Sequence, residues 1–346
     1  MIVAIIAGGA GTRLWPLSTP AHPKHLLTIK GTESLTQAAY SRACRLTTTD
    51  KIYVVTEVSH AHLIKEQLPD LPDSAFIIEP ARRNTSGCFL AVLHHLQDKH
   101  PEDEPIAITW ADHHVRDVDG FVESFEVAGN ASRKYNAPVL VAVEPTYPSV
   151  AFGYIHKAEV VPGGDRVHRV ATFKEKPDLD LAKRFFLSGE YLWNCGYLVG
   201  TRKAFVAAMR KDCPKLWEEY QSLRATKTPK AYKQAYLALE NVQLDYVFNE
   251  LVTNFLVVPG TFDWMDVGSF NDLHDASEVD VDGNCFIGET IATEGVKNAY
   301  IRNETSTPVA VIGLENVVVV NTQDGILVAR KDLSQKVREV IKQFEV

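Results

Sequence analysis

The sequence predicts an α/β fold: a domain built on a mostly parallel mixed sheet, followed by a short β-rich domain. Three observations carry this. Short runs rich in Ile and Val, without polar alternation, recur through the first half, as expected of strands buried on both faces. Segments of helical period separate them, and strand–helix alternation implies a parallel sheet covered by helices. Beyond about residue 282 short β-rich pieces follow closely, with turns such as Asp282-Gly283-Asn284 and Asp324-Gly325 between them.

Residues 2–7, 51–56, 75–79, 105–110 and 138–143 read as buried strands. The helical pattern over 34–46 opens at a Ser cap and places Leu35, Ala38, Ala39 and Ala43 on one face. Residues 84–97 and 119–133 behave similarly. Next, 153–159 and 166–173 flank Pro162-Gly163-Gly164-Asp165, which predicts a hairpin. Helices are expected near 178–187, 202–211, 214–223 and 229–239. No Gly/Ser linker interrupts this stretch, so it reads as one domain over residues 1–281. The second domain, 282–346, carries β pieces at 285–287, 298–301, 309–312, 317–321 and 326–329, closed by a helix over 334–344.

The chain has 346 residues, enough for a large core without a disulfide or metal staple. A net charge of -8 speaks against a nucleic-acid partner, which would need a basic surface. The five cysteines (Cys44, Cys88, Cys195, Cys213, Cys285) form no C-x-x-C motif and read as buried free thiols. The first seven residues are apolar but lack the basic flank of a signal peptide. No apolar run approaches the 18 or so residues of a membrane span. The expectation is a cytosolic protein with no membrane partner.

The first strand runs into Ala7-Gly8-Gly9-Ala10-Gly11-Thr12-Arg13-Leu14. Small residues after a strand let backbone N–H groups approach a phosphate; a tight turn alone would also explain them. The loop is not G-x-x-x-x-G-K-[ST], and the chain contains no Gly-Lys dipeptide. It reads G-x-G-x-x-L rather than G-x-G-x-x-G, and the next strand, 51–56, comes late, with its closing Glu57 well beyond the spacing of a ribose-binding acid, which disfavours a dinucleotide. Arg13 and Lys24, the latter in Pro23-Lys24, add two cations suited to a triphosphate; a surface ion pair is the alternative.

The run from Gly8 through Arg13-Leu14-Trp15-Pro16-Leu17 to Pro23-Lys24 resembles the signature of sugar-phosphate nucleotidyltransferases, and its Trp-Pro form that of mannose-1-phosphate guanylyltransferases. Further matches keep the family's order. They are Glu79-Pro80-Ala81-Arg82-Arg83-Asn84-Thr85, Ala111-Asp112-His113, Gly153-Tyr154-Ile155 and Phe173-Lys174-Glu175-Lys176-Pro177. Trp193-Asn194-Cys195-Gly196, Leu244-Asp245-Tyr246 and Trp264-Met265-Asp266-Val267-Gly268-Ser269 complete the set. The chain departs from the usual pattern at Trp110, His25, residues 149–152, Gln243 and Asn249.

The resemblance implies a Rossmann-like nucleotidyltransferase domain and a C-terminal left-handed β-helix-like domain. The implied activity is transfer of a guanylyl group from GTP to mannose 1-phosphate, with Mg2+. Such transfer needs no protein nucleophile, only positioning and neutralisation of charge. The resemblance assigns the nucleotide to Ala7, Gly8, Gly9, Gly11, Thr12, Arg13, Lys24, Asn84, Thr85 and Asp112. It assigns the sugar phosphate to Gly153, Glu175, Lys176, Asn194 and Asp245, and Mg2+ to Asp112 and Asp266. Arg13, Lys24, Asp112, Lys176 and Asp266 are the expected catalytic set.

Bland readings stand beside several of these. Asp112 follows a strand end, where ligands of open α/β sheets bind, yet a solvated loop Asp would look the same. Asp266 could cap the helix after Gly268. Glu175-Lys176 could be an exposed charged turn, and Asn194 a buried structural amide. Asn84 and Thr85 stand where a helix N-cap is expected, a role compatible with anion binding at a helix N-terminus. The pair His113-His114 is disfavoured as a metal site because neighbouring residues point apart. Other readings are a guanylyltransferase for a related sugar 1-phosphate such as a manno-heptose, use of another nucleoside triphosphate, or a catalytically silent homologue that senses nucleotide sugars. The β-rich tail could supply a homodimer contact.

Overall fold

A computed structural model describes residues 1–9, 11–29 and 33–344 of the chain. Strands β1 (Ile2–Ile6), β2 (Ile52–Glu57), β3 (Phe76–Glu79) and β4 (Pro105–Trp110) pair in parallel, with β1 between β2 and β4. Every residue of β1 is buried, which is why it reads as an unbroken apolar run. Strands β5 (Val139–Val143), β6 (Gly153–Val160), β7 (His168–Lys174), β8 (Tyr191–Thr201) and β9 (Leu256–Pro259) complete a nine-stranded sheet in the order β3-β2-β1-β4-β8-β5-β9-β7-β6. Only β8 and β7 run against the rest: β8 is antiparallel to β4, β5 and β6, and β7 to β6 and β9. The sheet is therefore mixed but mostly parallel, as expected, and β6 and β7 form the expected hairpin.

The seven helices expected before residue 240 all form, with ends within two residues of the reading. Their starts have local causes. Asp117, Asp178, Thr201 and Thr228 each accept a hydrogen bond from a backbone N–H in the first turn. Pro214 and Pro229 open their helices, where the missing N–H costs nothing.

Strand β8 is not foreseen, because Asn194 and Gly196 interrupt its apolar pattern. The structure explains the interruption. The β5–β8 register shifts between Val141 and Ala142, and Gly196 has φ +70°. A Cβ at Gly196 would stand 2.6 Å from the Trp110 Nε1, whose N–H donates to the Gly196 carbonyl at 2.9 Å. The shift re-aims side chains on the bulged strand, Asn194 among them. The helix Ala61–Gln67 and strand β9 are likewise unforeseen.

The C-terminal strands are β10 (Cys285–Ile287), β11 (Ile291–Glu294), β12 (Tyr300–Asn303), β13 (Val309–Ile312), β14 (Val317–Thr322) and β15 (Gly325–Arg330). β10, β12 and β14 stack in parallel, β11 pairs in parallel with β13, and β15 closes antiparallel on β14. Alternate strands thus build two faces of a coil. Ile301, Val317 and Val319 point into one core with Val296, Ala299 and Val311. Tyr300, Val318 and Val320 point into another. Asparagines hold the turns: Asn298 donates to Asn316 at 2.6 Å, and Asn321 to Asn303 at 3.0 Å. The expected terminal helix begins differently, as a 3-10 turn over Lys331–Lys336 that leads into a short helix, Val337–Ile341.

The chain forms two compact units that do not follow chain order. One comprises Met1–Ala7, Ala39–Trp110 and Val115–Trp264, and holds the whole nine-stranded sheet. The other gathers Gly8–Ala38, Ala111–His114 and Met265–Val346. All five thiols are free, but Cys44 is exposed, contrary to the expectation of burial. Helix Leu35–Leu46 buries the Leu35, Ala39 and Ala43 face, and Cys44 lies one residue past it. Among the described residues no helix is long and apolar enough to cross a membrane.

Gly288 has φ +100°, and a Cβ there would lie 1.9 Å from the Asn303 carbonyl oxygen. Both strain and overlap oppose any side chain. Gly288→Ala is expected to cost about 2 kcal/mol or more, read as a lower urea midpoint for the unit that contains it. A midpoint equal to wild type would contradict this packing.

Candidate active site

The chain leaves β1 through Gly8 and Gly9, which has φ +99°. A Cβ on either would meet no atom within 4 Å, so the loop surface is open to a ligand. The Ala7 amide, by contrast, donates to the Val55 carbonyl at 2.8 Å, leaving only its carbonyl for any other partner. Ala10 and the Thr12 side chain lie outside the described residues. Gly11, at φ +57°, is packed differently: a Cβ there would stand 2.4 Å from the Cβ of Lys24. Only glycine lets the loop close down on the Lys24 stem.

Lys24 begins a short 3-10 turn, Lys24–Leu26, and is buried, with 7% of its surface exposed. Its ammonium donates to Asp112 Oδ2 at 2.8 Å, to Asp266 Oδ1 at 3.2 Å and to the Asp266 carbonyl at 2.8 Å. Burial alone would lower its pKa, but the two carboxylates outweigh burial and hold it above the ordinary lysine value. Burial would likewise raise the Asp112 pKa; Lys24, with His113, brings it down to about 2.

The two carboxylates are brought together by an isolated antiparallel bridge. The His114 N–H donates to Met265 at 2.9 Å and the Met265 N–H to His114 at 3.0 Å. Val267, fully buried, takes φ +30°, a strained position for a β-branched residue, beside the carbonyl that meets Lys24. Asp266 does not cap the helix Phe270–Ala276; Ser269 does, accepting from the Asp272 N–H at 3.3 Å.

Lys24, Asp112 and Asp266 line a cavity of about 310 Å³ together with Gly11, Arg13, Gly268 and Arg338. Neither arginine has a carboxylate partner among the described residues. Arg338 escapes sequence reading: an arginine on a terminal helix looks like any solvated charge, and only the fold carries it here.

A second group lies in the unit that holds the sheet. Lys176, at φ +42°, donates to Glu175 Oε1 at 2.6 Å. Glu175 is buried, and its Oε2 has no partner. Gly153 is needed beside it, since a Cβ there would stand 2.5 Å from that oxygen. Burial, then the charge of Asp245, push the Glu175 carboxyl above the ordinary range despite Lys176. Asn194 Nδ2 and Asn249 Nδ2 each donate to Asp245 Oδ1 at 2.8 Å. Asp245 opens a π-helical turn, Asp245–Asn249. Thr85 Oγ1 accepts from the Leu244 N–H at 2.7 Å and ties that turn to the start of helix Asn84–Leu96. Asn84, at φ +56°, accepts from the Thr85 N–H at 3.0 Å, but the cap position falls on Arg83 and no side chain caps this helix, contrary to the expectation for Asn84 and Thr85. Asn249 stands out in the sequence only as a departure from a family pattern, and has a site contact all the same.

The family model described as nucleotidyl transferase matches residues 2–283, and the model described as MannoseP isomerase/GMP-like beta-helix domain matches 288–344. Xanthan biosynthesis protein XanB of Xanthomonas campestris pv. campestris is 36% identical over 351 residues, 99% of this chain and 72% of that protein. A mannose-1-phosphate guanylyltransferase of Escherichia coli is 31% identical over 364 residues, covering 100% of this chain and 76% of that protein. A crystal structure from Thermus thermophilus, titled mannose-1-phosphate geranyltransferase, superposes with a TM-score of 0.88 at 26% identity, covering 100% of this chain and 99% of that one. The chain belongs to the nucleotidyl transferase family, in its mannose-1-phosphate guanylyltransferase branch.

Because folding raises the Glu175 pKa, this residue costs stability as pH rises from the ordinary carboxylate value through the folded one. Its partner Lys176 is half-exposed, so the ion pair offsets little of that. Glu175→Gln is expected to melt higher than wild type at pH 8, with the gain shrinking as pH falls to about 4. A variant that melts lower at pH 8 would remove the buried carboxylate from this account.

Proposed function

We propose that the chain transfers the guanylyl group of GTP to mannose 1-phosphate, giving GDP-mannose and pyrophosphate. The observation that carries this reading is a cation bound by two aspartates beside an open glycine loop, with two arginines on the same cavity. Relatives named for this activity over nearly the whole chain support the choice of substrates.

The fit of a magnesium ion rests on the donor set. Two carboxylates and a backbone carbonyl already converge on a cation, and hard oxygen donors are what magnesium takes. Asp112 and Asp266 would hold it, where it would supply neutralisation of phosphate charge. The glycine-loop amides, Arg13 and Arg338 take the triphosphate. Glu175 Oε2 and the Asp245 carboxylate accept from sugar hydroxyls, and Asn194 keeps Asp245 in place. Lys176 takes the sugar phosphate. One oxygen of that phosphate attacks the α-phosphorus in line; the bond to the β-phosphate oxygen breaks, and its electron pair leaves with pyrophosphate. No residue of the chain becomes covalently attached. The protein contributes alignment and fixed positive charge where negative charge gathers.

The test is pyrophosphate release across a matrix of nucleoside triphosphates and sugar 1-phosphates. GTP with mannose 1-phosphate is expected to be the best pair. UTP or dTTP with glucose 1-phosphate winning would overturn the reading, and a manno-heptose 1-phosphate winning would move it to that sugar. Loss of the Lys24 charge is expected to lower kcat/KM by on the order of 10²-fold or more, about 2.7 kcal/mol, as for one strong electrostatic donor. Near wild-type turnover of Lys24→Ala would take Lys24 out of the reaction.

A further inference from the structure

The atoms around Lys24 point to a role that precedes catalysis. Its ammonium touches three oxygens, drawn from two segments that are 88 and 242 residues away along the chain. These are the donors that the reading above gives to a divalent cation. Resting on that reading, we propose that the Lys24 ammonium is the resident cation of the metal site in the free enzyme. It excludes the divalent ion until nucleotide arrives and draws the ammonium away.

Two cations do not fit on these oxygens together. A magnesium ion sits 2.0–2.1 Å from its ligands, and the ammonium nitrogen already lies 2.8 and 3.2 Å from one oxygen of each carboxylate. Both would compete for the same lone pairs at short range and repel each other. The ammonium also cancels half of the two negative charges that would attract the ion. Nor do the described residues supply more: no group of three or more His, Cys, Asp or Glu is placed to hold a metal. A site of two carboxylates leaves most of the coordination shell to water and phosphate oxygens.

Nucleotide resolves both problems at once. The cavity that Lys24 lines is open to a ligand and carries Arg13 and Arg338 without carboxylate partners among the described residues. A triphosphate there offers the missing oxygens to the ion and a new anionic partner to the ammonium. Lysine suits the exchange, because its charge rides on a flexible four-carbon stem. The stem base stays fixed under Gly11 while the tip moves. Nucleotide and metal therefore bind with positive coupling, and by linkage each strengthens the other equally.

The experiment titrates Mn2+ into the whole protein without sugar phosphate, following free Mn2+ by electron paramagnetic resonance. Nucleotide-free wild type is expected to bind Mn2+ only weakly. Lys24→Met, which keeps the stem and drops the charge, is expected to bind it at least tenfold more tightly, and adding Asp112→Asn should abolish that gain. Lys24→Gln replaces Lys24→Met if the latter lacks the wild-type circular dichroism spectrum. Wild type binding Mn2+ alone as tightly as the Lys24 variant would overturn the proposal. So would no binding by either without nucleotide, provided GTP-loaded wild type retains Mn2+ in a manner sensitive to Asp112→Asn; the metal reading would then stand without the exchange. Insensitivity to Asp112→Asn in the GTP-loaded protein would sink the metal reading itself.

Discussion

A buried ammonium has to be paired, and that requirement organises the loops of the candidate active site. An unpaired charge at Lys24 would cost several kcal/mol. Its partners come from the segment after β4 and the segment after Trp264, so both must converge on the turn that carries Lys24. The His114–Met265 bridge clips them in register, and Gly11 removes the one side chain that would hold the loop off the lysine. The strained φ of Val267 is tolerated because its side chain is locked in the core.

This arrangement changes what the C-terminal strands are for. They do not form an independent appendix. Leu14, Leu17 and Leu27 of the glycine-loop region pack in one core with Phe270, Tyr300, Val318, Val320 and Val337. Trp15 lies so close over Gly325 that a Cβ there would stand 2.5 Å from its ring, and its ring centroid is 5.9 Å from that of Phe344. The glycine-loop region thus shares a core with the β coil, whose strands β12 and β14 are buried on both faces. On the proposed reading such support would matter, since electrostatic stabilisation depends on dipoles and cations that do not relax.

The second group of site residues follows a different logic. Glu175 and Asp245 place carboxylates near one another, and one oxygen of Glu175 is left buried without a partner. A core built for stability alone would not keep such an oxygen. On the proposed reading, a sugar hydroxyl would satisfy that oxygen when bound. The π-turn lets Asn249 reach back to Asp245, and Thr85 anchors the turn from another helix, so the carboxylate is held before any ligand arrives.

By itself the sequence determined the alternation of strands and helices, the hairpin and the β-rich tail, and it named most of the residues that the structure gathers into the two candidate groups. These are legible because they depend on local period, caps and short motifs. Strand β8 was not legible, since the bulge that re-aims Asn194 breaks the very pattern that marks a strand. Nor was Arg338, whose position on a terminal helix says nothing about what that helix packs against. The pairing of Lys24 with Asp112 and Asp266 was beyond sequence too. Each residue was a candidate for the site, but Lys24 alone suggested a phosphate contact and the aspartates a metal. Only the tertiary structure, by closing three distant segments on one ammonium, decided that in the free protein they neutralise one another. The physical reason is that electrostatic pairing depends on distance in space, and residues 88 and 242 positions apart acquire one only when the loops fold.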